Sequence, residues 1–344
     1  MLGRGVAERL VEDPGATLLH PELVEITRSA DLFLLNLECC VSARGAPIDE
    51  PGRSFFFRAP PHAVEHLVEI GVGCVTLANN HVLDFGPDAL ADTLAELTAA
   101  GIVTVGAGLD EDSARAGASL TVAGHRLRVL AVTDQHGSYA AGRDRPGTAY
   151  ADLAGEGAPD WLCDAARPRG GECALVSSHW GPNMAPSPVS HVRAAAAALE
   201  SAGATLVAGH SAHVPHGTSG RVLYDLGDFL DDYAVHPRLR NDLSLLWLVT
   251  LDEAGPHRVE GVPVRLEYAH TRPADEVETA ALVRLMSERC AAVGSRVEVV
   301  DGRLVFADRE PGSAGGVASA RHRPIRPNLS RRPPRRRPRS WRRR

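Results

Sequence analysis

Apolar residues along the chain form short continuous runs that alternate with longer runs at helical spacing. Five runs predict strands, most of them buried on both faces, at residues 31–37, 72–78, 102–105, 173–177 and 205–208. Three runs with helical spacing predict helices between them, at residues 61–70, 87–100 and 189–202. Pro87 suits the first turn of its helix, and Gly101 suits the position after the last turn. Strands that alternate with helices predict an α/β layered domain.

The pattern changes in the second half of the chain. Residues 120–132 already predict a hairpin turned at residues 123–125, and residues 245–268 predict further antiparallel pairing. An amphipathic helix is expected at residues 274–293, followed by a hairpin at residues 297–306 whose turn is Asp-Gly. The prediction is therefore a mixed α/β or α+β arrangement of two sheets with helices on their outer sides.

Composition divides the chain further. The chain has 37 basic residues, of which 12 lie after Pro311, where no acidic residue occurs; residues 1–310 therefore carry 25 basic against 43 acidic residues, a net charge of −18. Arginine and proline at the density of residues 311–344 cannot bury a core, so this tail is predicted to be disordered. We expect a main domain at residues 1–272, a helix and hairpin extension at 273–310, and the tail.

Membrane insertion and disulfide formation are not indicated. No apolar run reaches the ~18–20 residues that a membrane-spanning helix needs, and the first ten residues lack a secretory signal pattern. The sequence as written predicts a cytoplasmic protein, with envelope association as the expectation if an upstream segment is missing. The six cysteines have no CxxC spacing and lie mostly in apolar runs, so we predict buried thiols.

Four predicted strands lead directly into side chains that bind metals well. They are followed by Glu38, by Asn80 and His81, by His179, and by His210 and His213. A single histidine after a strand is more often a structural residue. However, α/β domains place ligands at the carboxyl ends of strands, and imidazole with carboxylate suits Zn, Mn or Fe. Their joint occurrence predicts a metal site.

Five motifs at these positions resemble the CapA family of poly-γ-glutamate capsule biosynthesis proteins. They are NLE at 36–38, LANNHVLDFG at 77–86, HWG at 179–181, GHSAH at 209–213 and YDLGDF at 224–229. The resemblance spans roughly residues 1–250. It implies the calcineurin-like metallophosphoesterase fold, a two-sheet sandwich flanked by helices, and it implies a role in capsule or envelope polymer synthesis.

The resemblance also implies a role for each site residue. One or two divalent ions (Mn, Fe or Zn) would be bound by Glu38, Asn80, His179, His210 and His213. Two such ions would hold a water and an oxyanion for in-line attack. His81 would face the substrate and protonate a departing alkoxide. Asp84 would either orient His81 or cap the helix that begins at Pro87.

Three further residues are candidates to contact the substrate or to support the ligands. They are Arg4, His136 and Asp228. Asp228 has the alternative of a simple turn residue, and His136 has the alternative of a solvent-exposed residue. His191, His216 and His236 are predicted to be surface residues.

The chain departs from the family pattern at its start. Relatives usually open with a strand that ends in Gly-Asp before a Met-Leu-Gly-Arg segment, and this chain opens at Met1 with that segment. The first strand and its metal-binding aspartate are therefore expected upstream of Met1. Without them, the remaining residues would either bind one metal weakly or be inactive, and the sheet would expose an edge and apolar surface.

Two functions fit these observations. The first is a metal-dependent hydrolase or transferase that acts on a small-molecule or polymer oxyanion. The second is a noncatalytic component that assembles with other capsule-synthesis proteins and retains the fold. Specific nucleic-acid binding is disfavoured, because the acidic body would repel phosphates even though the arginine tail could bind them.

Overall fold

The computed structural model describes residues 1–155 and 157–308, which contain eight α-helices. The helices are α1 Arg4–Glu12, α2 Pro21–Ser29, α3 Ala63–Glu69, α4 Pro87–Ala99, α5 Glu111–Arg115, α6 Asp160–Ala166, α7 Ser190–Ala202 and α8 Glu276–Ala291. The three helices predicted in the first two-thirds of the chain correspond to α3, α4 and α7, and the predicted C-terminal helix corresponds to α8. The pattern did not predict α1, α2, α5 or α6. The predicted tail lies outside the described residues.

The largest sheet has six strands in the order β12-β13-β11-β10-β8-β7. Its strands are β7 Ala118–Val122, β8 His125–Thr133, β10 Cys173–His179, β11 Leu206–His210, β12 Thr218–Ser219 and β13 Val222–Leu223. The four inner strands run parallel, and the two outer strands are antiparallel to their neighbours. The predicted hairpin is confirmed as β7 and β8. The carboxyl ends of β10 and β11 lie side by side.

Two further sheets complete the layers. One is parallel, with the order β1-β4-β5, and comprises β1 Phe33–Asn36, β4 Val72–Thr76 and β5 Val103–Val105. The other is antiparallel, with the order β14-β15-β18-β17 and with β16 paired to β15. It comprises β14 Leu243–Asp252, β15 Gly255–Glu267, β16 His270–Pro273, β17 Ser295–Val300 and β18 Arg303–Asp308. Two short pairs join β2 Cys40–Val41 to β3 Arg58–Ala59, and β6 Ala107–Gly108 to β9 Gly147–Thr148.

Apolar side chains from all three sheets meet in one core. Cys74, Val129 and Leu245 belong to three different sheets and are all buried in it, together with Leu282 of α8. The C-terminal helix and hairpin therefore pack against the same core as the preceding strands, and the described residues form one compact unit. The cysteines are free thiols, as predicted, and all except the partly exposed Cys163 are buried.

A groove of about 730 Å³ runs between β1 and β14. Among the described residues, β1 pairs only with β4, and β14 pairs only with β15, so each strand has one unpaired edge along the groove. Apolar side chains of the six-stranded sheet, such as Leu175 and Leu206, also line it. Where strands end, its lining becomes polar at Glu38, His210 and His213. We predicted β1 to be buried on both faces, but all four residues of β1 are partly exposed because the groove follows that edge.

A membrane span requires a helix of sufficient length and apolar character. Within residues 1–155 and 157–308, no helix is both long enough and apolar enough to cross a bilayer.

Candidate functional site

The carboxyl ends of strands from both sides of the core meet at one place. His179 ends β10 and His210 ends β11, and the parallel register pairs these two residues directly. The Ser177 hydroxyl lies 3.4 Å from the Thr76 hydroxyl of β4, which ties the six-stranded sheet to the parallel sheet near the ends of both strands. His179 and His210 therefore lie at the ends of adjoining strands, where the sequence predicted them.

Two buried imidazoles face each other at the centre of the site. The Nδ1 atoms of His179 and His210 are 2.7 Å apart, and Nε2 of His210 lies 2.9 Å from the Ser177 hydroxyl. Burial, reinforced by the neighbouring histidines, holds the pKa of His179 well below its usual range and lowers the pKa of His210 to about 3. Neutral imidazoles carry a lone pair, so this pair offers nitrogen atoms suited to a metal ion.

His213 sits beside this pair in a strained loop. Its φ of 59° lies in the left-handed region, and its Nδ1 is 2.8 Å from a carboxylate oxygen of Asp228. Burial acts to lower the pKa of His213, but the carboxylates of Asp228 and Glu38 outweigh it and raise the pKa to about 10. Asp228 therefore holds the Nδ1 proton, and Nε2, which also carries a proton in the charged ring, is the atom that faces a possible ligand.

The loop after β4 is built by Asn79, which the sequence did not single out. Its side-chain oxygen accepts a hydrogen bond from the His81 amide at 3.0 Å, and its side-chain nitrogen donates to the Leu37 carbonyl at 2.9 Å. These bonds fix the end of β4 against the end of β1, where Glu38 follows. Nearby, the side-chain oxygen of Asn80 is buried and has no hydrogen-bond partner among the described residues.

His81 is held on two sides. Its Nδ1 is 2.7 Å from Asp84, and the Phe57 ring stacks on its imidazole with the centroids 3.8 Å apart. Its Nε2 points toward Glu38, 3.9 Å away. The alternative that Asp84 caps the following helix is wrong, because Gly86 occupies the N-cap of α4 and no side chain caps it. Asp84 instead orients His81.

The sequence matches a family model described as bacterial capsule synthesis protein PGA_cap over residues 1–233. The chain belongs to this family. A probable polyglutamine synthesis accessory protein of Mycobacterium tuberculosis is 35% identical over 290 residues, covering 78% of this chain and 75% of the relative. The PGA biosynthesis protein CapA of Bacillus subtilis is 28% identical over 316 residues, covering 89% of this chain and 80% of the relative.

A solved structure of a hypothetical protein from Thermus thermophilus also matches, with 18% identity and a TM-score of 0.38 over 74% of this chain and 89% of that chain. A likeness this weak supports no conclusion about the fold. The resemblance to the CapA family is confirmed by the family match and by the relatives, which point to capsule and poly-γ-glutamate biosynthesis.

In this PGA_cap family member, Arg53 is a site residue that the sequence did not reveal. Its guanidinium contacts Asp84 and the Asn80 carbonyl oxygen, lies 3.2 Å from Nδ1 of His81, and is almost fully buried. Arg53 occurs in a polar stretch between elements, where neither periodicity nor a motif marks it. Only the folded loop brings it to the end of β4.

His136 and Arg4, two of the weaker candidates, lie at the edges of the site. His136 has a left-handed φ of 52°, is about one-third exposed, and places Nδ1 3.3 Å from Glu50 and Nε2 3.5 Å from Arg53. His136, which was a candidate to line the pocket, therefore lies close to Arg53. Its side chain is only partly exposed to solvent. Arg4 lies outside the aromatic residues that cover His81 and His213.

The predicted surface histidines differ from one another in the structure. His191 is partly exposed and lies 3.2 Å from Asp134, and His236 is also partly exposed. His216 is only 4% exposed, with Nε2 2.8 Å from the Ala185 carbonyl oxygen. The prediction for His216 is therefore wrong, because the loop after β11 folds inward behind the site.

The residues at the site provide some, but not all, of the ligand types that a metal site usually has. Among residues 1–155 and 157–308, no three His, Cys, Asp or Glu side chains are arranged as a ready metal-binding group. The two facing imidazoles of His179 and His210, however, offer nitrogen donors, and the buried amide oxygen of Asn80 has an unmet need for a partner. Imidazole nitrogen and amide oxygen are donor types that Zn, Mn or Fe accepts.

Proposed function

We propose that this protein is a metal-dependent hydrolase or transferase of the calcineurin-like metallophosphoesterase type, acting in capsule or poly-γ-glutamate biosynthesis. One observation carries the proposal: the buried, neutral imidazoles of His179 and His210 lie near a third histidine, His81, that the buried carboxylate of Asp84 orients. A metal-type donor pair beside an oriented acid or base is the arrangement that metal-assisted hydrolysis needs. The family supplies the biological context.

The ion would be held by His179, His210 and Asn80, with Glu38 as a further candidate ligand and His213 as one that must first lose its Nε2 proton. Their donor types suit Mn, Fe or Zn. When bound, such an ion would polarise an oxyanion and supply a nucleophilic water near neutral pH. Ser177 and Asp228 support this role because each contacts a ligand histidine from behind and fixes its ring.

Residues of the protein itself would then transfer a proton to the leaving group. His81 carries it at Nε2, the ring atom on the opposite side from Asp84, and delivers it to the departing oxygen of the substrate. Asp84 fixes the tautomer by accepting from Nδ1. The stacked Phe57 ring keeps the imidazole in place and keeps water from one of its faces.

A noncatalytic function is the second candidate, and a specific observation favours it. The described residues contain no ready three-residue group of His, Cys, Asp and Glu for a metal, and the Mycobacterium tuberculosis relative is named an accessory protein. In this alternative, the chain would assist other capsule-synthesis proteins without turnover. Metal content and hydrolysis, measured on the same variants, separate the two candidates.

The first test compares metal content among histidine variants. His179→Ala and His210→Ala should each lower the Mn, Fe or Zn bound to the purified protein, because each removes a donor from the facing pair. His81→Ala should keep the metal but lower the hydrolysis of a generic phosphodiester by about 10²- to 10⁴-fold, since a positioned general acid contributes about that much. Bound metal is measured by elemental analysis.

His191→Ala serves as the control, because His191 contacts Asp134 and neither of the facing imidazoles. It should retain both metal and rate. Wild-type metal content in both His179→Ala and His210→Ala would overturn the ligand assignment. Loss of metal in His81→Ala would show that His81 is a ligand, and bound metal without any hydrolysis would favour the noncatalytic function.

A further inference from the structure

The backbone at Arg4 is held in an uncommon conformation by its surroundings. Its φ is 51°, in the left-handed region that non-glycine residues rarely adopt. A side-chain carbon at Gly3 would lie 2.8 Å from the Cα of Phe57, and the Gly5 amide donates to Asp232 at 2.9 Å. These contacts hold residues 3–5 close to Phe57 and Asp232. They so determine the direction in which the Arg4 side chain leaves the backbone.

The Arg4 side chain rests on aromatic rings and keeps its terminal nitrogens available. Its Nε is 3.3 Å from Asp232, and its Cζ lies 5.1 Å from the centre of the Phe55 ring and 5.8 Å from that of Tyr233. Among the described residues, neither terminal nitrogen forms a hydrogen bond, and the side chain is 36% exposed. The two-pronged end of the guanidinium can therefore reach a ligand from solvent.

Arg4 is separated from the candidate site by a single layer of rings. Phe57 lies between Arg4 and His81, with its ring 6.0 Å from the Arg4 Cζ and stacked on the imidazole at 3.8 Å. Tyr233 lies between Arg4 and His213, and its ring centroid is 5.3 Å from that of the imidazole. A group bound by Arg4 would thus lie next to, but not at, the reacting position.

We propose that Arg4 is a specificity-determining residue that binds a carboxylate or phosphate group of the substrate outside the reacting position. A guanidinium binds such groups through two parallel hydrogen bonds, and stacking on aromatic rings orients it beforehand. The proposal rests on the proposed function only in naming the ligand as substrate. Arg4 also has a simpler possible role, which is to anchor α1 through Asp232.

Arg4→Lys separates the two roles, because a lysine can keep one ion pair with Asp232 but cannot form the two-pronged contact. Protein freed of metal with a chelator is titrated with inorganic phosphate and with glutarate, and binding is measured by calorimetry. We expect Arg4→Lys to weaken binding of one or both probes roughly tenfold, and Arg4→Gln to weaken it further. The melting temperature of Arg4→Lys should stay close to that of the wild type.

Arg115→Gln is the matched control. Arg115 also stacks on an aromatic ring, that of Trp161 at 4.4 Å, and also pairs with one carboxylate, Glu111 at 2.6 Å. Its substitution should leave binding unchanged. Wild-type affinity in Arg4→Gln, or an equal loss in Arg115→Gln, would overturn the proposal.

A second measurement covers the case in which Arg4 variants fail to fold. In the unsubstituted chain, phosphate or glutarate should shift the side-chain NMR signal of Arg4, which its contacts with the Phe55 and Tyr233 rings identify, and should leave the Arg115 signal in place. An Arg4 signal that neither probe shifts contradicts the proposal. Anion binding through Arg4 in a protein that never hydrolyses a phosphodiester would support this inference and refute the proposed enzyme function.

Discussion

At the scale of single residues, the most consequential pair is Arg53 with Asp84. Both side chains are almost fully buried, at 6% and 0% exposed, and Asp84 also accepts from the Phe57 amide at 2.6 Å and lies 2.7 Å from Nδ1 of His81. Removing one partner of a buried ion pair leaves the other charge without compensation, which costs more than the pair contributes. The geometry of His81 thus depends on a residue that is not part of any recognisable motif.

We therefore expect Arg53→Met to lower the free energy of unfolding by about 3 kcal/mol or more. Adding Asp84→Asn to that variant should recover part of the loss, because it removes the unpaired charge. Denaturant unfolding of the single and double variants measures both effects.

The exposed pair of Arg44 and Asp92 provides the comparison, since Arg44 is 57% exposed at its side chain. Arg44→Met should change stability little, because solvent screens the pair. Equal losses in Arg44→Met and Arg53→Met would show that burial does not matter here, and a double variant no more stable than Arg53→Met would contradict the charge explanation.

The sequence was informative for some site residues and silent for others. His179 and His210 follow continuous apolar runs, so a local signal marked them and parallel pairing then brought them together. Arg53 gave no such signal, because its role comes from contacts with residues about 30 positions away in the chain. His216 was predicted to be a surface residue because no local signal marks it, and its burial comes from the fold.

At the scale of elements, the loop between β11 and β12 carries His216 into the interior. Burial lowers the pKa of His216 to about 4 from an ordinary value of 6.5. The folded protein therefore holds the ring neutral, while the unfolded chain takes up a proton as the pH falls below 6.5. The stability from the neutral ring is complete above pH 6.5 and is lost as the pH falls toward 4.

This linkage predicts a pH-dependent effect of His216→Gln. Relative to its own value at pH 7.5, the wild type should lose about 2 kcal/mol more stability by pH 5 than the variant does. Chemical unfolding across this pH range measures the difference. His236→Gln is a suitable control, because that histidine is partly exposed, and parallel curves for the wild type and His216→Gln would refute the linkage.

Periodicity predicted the longest helices and missed most of the short ones. Helix α4 has thirteen residues with a clear buried stripe, including Leu90 and Leu97, and its start at Pro87 was predicted to the residue. Helices α1 and α2 have nine residues each, and packing on the core rather than local propensity stabilises such short helices. The seven-residue α3 was predicted because its apolar spacing and the Gly71 that follows it mark the helix. The mixed α/β class followed from the sequence, but most of the short helices did not.

At the scale of the whole molecule, the groove between β1 and β14 offers two unpaired strand edges to one additional strand. Met1 lines the groove, and its amino group donates to the Leu230 carbonyl at 2.6 Å. An apolar strand-forming segment of about six residues, added ahead of Met1, should pair with both edges and bury apolar surface. A gain of about 2 kcal/mol corresponds to roughly 3 °C in melting temperature for a chain of this size.

Thermal unfolding measures the gain, and amide hydrogen exchange should slow in residues 33–36 and 243–252. A Gly/Ser segment of the same length is the control, and an equal effect from it would contradict strand pairing. The first strand expected from the family resemblance stays a prediction, since the groove shows only where such a strand would fit.

The parallel register of β10 and β11 restricts which insertions and deletions the molecule can accept. Side chains of a strand alternate between its two faces, so adding or removing one residue within either strand would turn His179 or His210 away from its counterpart. The same change would also move Ser177 off the ring that it supports. Length variation among descendants of this chain should therefore collect in connecting segments, such as residues 182–188, and leave the strands that end in histidine unchanged in length.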